Sequence, residues 1–72
     1  MLEDLDKEIL MDYLYEKRDH FLLMLKQIQF EKLQEMSDDE KIRLQKFEKD
    51  TENNLNYSNQ QISKFILENY SQ

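Results

Sequence analysis

Apolar residues recur at intervals of three and four along most of the chain, the spacing of helices that each bury one side. Placed at a helical pitch, Leu10, Met11, Leu14, Phe21, Leu22, Leu25, Ile28 and Met36 fall within roughly 60° of Leu25, forming one broad apolar face. Leu5, Ile9, Leu23 and Phe30 gather on the opposite side, interleaved with Asp12, Glu16 and Gln34. A first helix over this stretch therefore has two apolar faces. Further along, Leu44, Phe47, Thr51, Leu55, Ser58, Ile62, Phe65 and Ile66 step by three or four without slipping phase. That pattern predicts a second helix with a single stripe, in which Thr51 and Ser58 are small enough to let a neighbouring helix come close.

Between them lies "EMSDDEKIRL", residues 35–44. Ser37 followed by Glu40 has capping-box spacing. The Ser hydroxyl is expected to accept from the Glu40 backbone N–H, and the Glu carboxylate to reach back to the Ser37 N–H. Asp38, Asp39 and Glu40 then place three acids in a first helical turn, where the helix dipole favours them and where a helix interior would gain nothing. The chain is thus predicted to turn there. The result is an all-α fold, an antiparallel helical hairpin with helices at about 3–35 and 38–69 in one domain, residues 1–72. At 1.5 Å per residue each arm is about 45 Å long. A competing signal is the pair Ser58 and Gln61, a second capping box, with Tyr57 and Ile62 at hydrophobic-staple spacing. Together with the weak helix formers of "DTENNLNYSN" it predicts a break near 53–58 and three helices. The unbroken apolar phase over residues 44–66 favours two.

Composition narrows the functional classes. At 72 residues a lone core leaves little stability to spare, and without cysteine neither a disulfide nor a thiolate metal site can add to it. The core is expected to be completed by homo-oligomerisation or by a protein partner. A net charge of −6 argues against direct contact with nucleic acid and against an anionic membrane surface. The longest apolar run, "FLLML" at 21–25, is far short of a membrane span, and "MLEDLDKE" does not read as a secretory signal. A cytoplasmic location is the expectation. Six acids within residues 1–16 (Glu3, Asp4, Asp6, Glu8, Asp12, Glu16) stand against the single base Lys7, which fits an acidic helix start.

Candidate chemistry is sparse. Asp12, Glu16 and His20 share one helical side at four-residue spacing. Helical-bundle metal sites use Glu-x-x-His with further carboxylates from facing helices, so a solvated charged face is expected and no metal. With no glycine there is no phosphate-cradling loop, and no nucleophile–base set can be assembled around the single histidine. Neither an enzyme nor a cofactor is expected. The stretch "YSNQQISKF" at 57–65 lacks the aspartate of the Ser-Gln-Glu-Leu-Asp-type motif carried by small hairpin phosphatases of response regulators, and does not match them. An acidic helical hairpin is similar in fold class to the small export chaperones of flagellar and related secretion systems, a likeness that no motif carries.

The expectation is therefore a non-enzymatic, small, acidic interaction protein: an adaptor, an inhibitor or an export-chaperone-like protein. Its partner-binding residues are expected to be Leu5, Ile9, Leu23 and Phe30, which the single stripe of the second helix cannot cover, with Tyr13 beside them. The alternative is an acidic mimic that occupies the nucleic-acid site of another protein.

Overall fold

The computed structural model of the chain describes residues 3–70, so the outermost positions of the 1–72 domain lie outside the described residues. Two helices make up nearly all of it. Helix α1, Asp4–Glu31, and helix α2, Asp38–Asn69, fold back on one another as an antiparallel hairpin 52 Å long. No helix among the described residues is long and apolar enough to cross a membrane.

The turn forms where the capping signal lies. Ser37 is extended (φ −66°, ψ 164°), and its hydroxyl accepts from the Glu40 N–H at 3.3 Å. The reciprocal half of the box differs from expectation: the Glu40 carboxylate accepts from the Ser37 hydroxyl, at 3.0 Å, in place of the Ser37 N–H. Asp38, Asp39 and Glu40 fill the first turn of α2, as the dipole favours.

Helix α1 stops at Glu31, short of the expected 35. Reversing the chain consumes residues 32–37, and helical propensity there yields to the geometry of the return. With no glycine available, no described residue adopts a positive φ, so the usual left-handed cap is not used. The helix end tightens instead. Leu33 donates its N–H to the Phe30 carbonyl at 3.1 Å and Gln34 to that of Glu31 at 3.0 Å, bonds of 3₁₀ type.

The break considered near 53–58 is absent: α2 is continuous through those residues. Ser58 does not cap a helix there but is buried against α1. A break would throw Ile62 and Phe65 out of phase with Leu44 and Leu55, and that packing outweighs weak local propensity.

The two helices meet along a narrow seam. Positions covered on α1 include Lys7, Met11, Leu14, Arg18, Phe21, Leu25 and Ile28. On α2 they are Leu44, Glu48, Thr51, Leu55, Ser58, Ile62, Phe65 and Asn69. Both sets alternate steps of four and three, the heptad spacing of a coiled coil. Fully buried apolar residues are few, Ile28 at 1% exposure and Ile62 at 7%, with Thr51 and Ser58 beside them. The Thr51 hydroxyl donates to the Phe47 carbonyl at 2.8 Å and so is satisfied inside the seam. The stripes read at helical pitch were too wide. Leu10, Leu22, Phe47 and Ile66 flank the seam and stay at least a third exposed, because one neighbouring helix covers only about two positions in seven.

Replacing Ser37 by Ala removes the cap and is expected to lower stability by about 1 kcal/mol. Ile28→Ala, which empties the best-packed site of the seam, is expected to cost about 2–5 kcal/mol, a large part of what a chain this size has. Thermal and urea melts followed by circular dichroism check both. Coincident melts of Ser37→Ala and the wild type would remove the capping assignment.

Candidate functional site

What α1 turns away from α2 follows from its heptad phase. Ile9, Glu16, Leu23 and Phe30 lie in one row seven residues apart, with Leu5 one turn before Ile9. Leu5, Ile9, Leu23 and Phe30 are all 58–67% exposed. They do not form one continuous strip. Glu16 stands in the row between Ile9 and Leu23, and those two are about 21 Å apart along the axis at 1.5 Å per residue. The structure thus gives two apolar patches on the outer side of α1, Leu5 with Ile9 near the open end and Leu23 with Phe30 near the turn. Tyr13 is 54% exposed and lies to one side of this row, with the Lys17 ammonium 5.6 Å from its ring centroid.

The flanks of the seam differ. On one side Glu48 accepts from Lys32 Nζ at 2.7 and 2.6 Å and from Gln29 Nε2 at 2.6 Å, tying the two helices together near the turn. On the same side the Arg18 guanidinium lies 4.8 Å from the Tyr15 ring centroid. The other side carries a groove of about 950 Å³ near the turn. Leu23, Met24, Met36, Leu44 and Phe47 line it, and His20, Glu31, Glu40 and Arg43 are the polar groups around them. Two smaller concavities continue toward the open end, past Phe21 and Tyr57 and then Leu10, Tyr13 and Phe65. The sequence pattern assigned Phe47 to the core, yet it is 46% exposed at the edge of this groove. The signal that could have placed it is its position next to a 3.5-residue seam rather than on it.

Asp12, Glu16 and His20 are exposed. Among the described residues no group of three His, Cys, Asp or Glu side chains is placed to hold a metal ion. The six acids at positions 3, 4, 6, 8, 12 and 16 are all exposed, so the outer surface of the open end is strongly negative. At that end Lys7 donates to the Asn69 carbonyl at 3.2 Å and lies 5.7 Å from the Tyr70 ring. It brings a positive charge to the C-terminus of α2, whose own last turn has none.

One carboxylate is electrostatically distinct. The hydrogen bonds from Lys32 and then Gln29 hold the Glu48 carboxyl below its ordinary value of 4.5, against a smaller opposing effect of burial. A lowered carboxyl pKa means that the charged form favours the fold. Its contribution is present above the unfolded value and is lost as pH falls through the folded one. Glu48→Gln is therefore expected to reduce stability at neutral pH, and the difference from wild type is expected to shrink below pH 4.5. Urea melts of both proteins across that range measure it. A difference that stays constant with pH would show that Glu48 acts by packing and not by charge.

The chain matches no protein-family model, no curated protein and no solved structure.

Proposed function

We propose that this chain is a non-enzymatic interaction protein whose partner is another protein, bound on the outer side of α1. The observation that carries the reading is the exposure of Leu5, Ile9, Leu23 and Phe30, large apolar side chains that the hairpin's own seam cannot reach. Clustered exposed apolar residues of this kind mark interaction surfaces. Asp12, Glu16 and Asp19 stand between and beside them, so the matching surface presents two apolar contacts about 20 Å apart with basic residues between. Tyr13 extends the contact toward the groove. Adaptor, inhibitor and export-chaperone roles all use such a surface, and the cytoplasmic location expected from the sequence belongs to the same proposal.

A second reading rests on the six exposed acids at the start of α1, which suit an acidic mimic that blocks the nucleic-acid site of a basic protein. Salt separates the two. Contact through apolar patches persists at high ionic strength, whereas mimicry weakens steeply.

Ile9→Glu and Phe30→Glu test the leading reading, since neither residue lies in the seam or lines the groove. Both variants are expected to keep the helical content of the wild type. Both are also expected to lose, at high salt, a protein that the wild-type chain retains from extracts of its source cell. Retention of that protein by both variants would overturn the assignment of this face.

A further inference from the structure

The hairpin exposes more surface than a chain of its size should. A compact monomer of 9.0 kDa has an accessible area of about 4,900 Å² on the usual size scaling, whereas this chain has 6017 Å². The excess, about 1,100 Å², is of the order that each partner buries in a standard interface, about 800 Å². A contact along one 52 × 15 Å side of the molecule covers about that area. The groove side is the more open one, since concavities follow it from the turn to the open end, while the opposite flank is crossed near the turn by the Glu48–Lys32–Gln29 contacts. The sequence agrees. Leu10, Met24 and Phe47 widen the apolar stripes beyond a two-helix seam, toward the three positions in seven used by helices inside a bundle.

We propose that the groove side seats a second copy of this chain, related by a two-fold axis through its middle, with the turn of each hairpin against the open end of the other. The product is a four-helix bundle. Register supports it. Phe47 lies nine residues from the start of α2 at the turn, and Tyr13 nine residues from the start of α1 at the open end, so each is about 14 Å from its own end. Met24 and Leu10 lie about 10 and 9 Å from the same two ends. The two-fold axis sets α1 of one copy antiparallel on α1 of the other and α2 on α2, so Met24 meets Leu10 directly and Phe47 lies level with Tyr13 across the bundle. Charge agrees with this orientation, which keeps the two acidic starts of α1 apart, whereas the parallel arrangement would bring them to the same end.

The chain has no cysteine, so single cysteines report the arrangement cleanly. Sedimentation equilibrium over a concentration series is expected to give twice the 9.0 kDa chain mass. Phe47→Glu and Tyr57→Glu are expected to halve that mass with helicity retained, and Phe30→Glu, on the outer side of α1, to leave it unchanged. An equimolar mixture of Leu10→Cys and Met24→Cys is expected to form the mixed disulfide in preference to either self-pair. A wild type that stays monomeric overturns the proposal. So does a dimer dissociated by Phe30→Glu but not by Phe47→Glu or Tyr57→Glu, or self-pairing of Met24→Cys in preference to the mixed disulfide. Phe30, on the outer side of α1 and outside the groove, and Phe47, which lines the groove alone, tell this dimer apart from partner binding, while Leu23 and Tyr13 border both surfaces.

Discussion

The contact of α1 with α2 along one seam is the constraint on which everything else in this molecule depends. A helix of about 30 residues in water gains little from its own backbone hydrogen bonds, and its stability comes from burying a side. Here the burial centres on Ile28 and Ile62, with Thr51 and Ser58 small enough for close approach and Leu14, Phe21, Leu25, Leu44, Leu55 and Phe65 partly covered around them. Each helix has a single neighbour. Two positions in seven can be covered, and every other apolar residue must face outward. The exposed patches of α1 and the groove beside Phe47 are consequences of that count.

Polar residues within the seam give the hairpin its sidedness. Arg18 and Glu48 occupy seam positions that a purely apolar coiled coil would fill with leucine, and both turn their charged ends to the same flank, Arg18 toward Tyr15 and Glu48 toward Lys32 and Gln29. Their aliphatic stems cover the seam while the charged heads stay near water. That flank carries the Glu48 hydrogen bonds near the turn and the exposed Leu22 beyond them, and the other is left concave. Exposed ion pairs contribute little to stability.

The outer side of α1 and the groove are adjoining surfaces that share an edge at Leu23 and Tyr13. The outer side of α1 offers Leu5 with Ile9 and Leu23 with Phe30, separated by Glu16, while the groove lies between the helices. The open end is negative, whereas the first half of α2 mixes Lys41, Arg43, Lys46 and Lys49 with Asp38, Asp39, Glu40, Glu48 and Asp50.

The amino-acid sequence by itself determined the helical class, the site of the turn and the start of α2, because these depend on local chemistry: three- and four-residue apolar spacing, a Ser cap and acids in the first turn. Leu5, Ile9, Leu23 and Phe30 were also legible as residues that one partner helix cannot cover. Two placements were decided only by the tertiary structure, and a third, which the apolar phase over residues 44–66 already favoured, was settled by it. The end of α1 at Glu31 follows from the chain needing six residues to reverse without glycine, a demand that no residue in 32–37 announces. The continuity of α2 through Ser58 follows from the seam holding Ile62 and Phe65 in phase, which overrides a local capping signal. The placement of Phe47 and Leu10 beside the seam rather than in it follows from pairing two helices at a 3.5-residue period. A single-helix projection at 100° per residue does not contain that period, because it is a property of the pair.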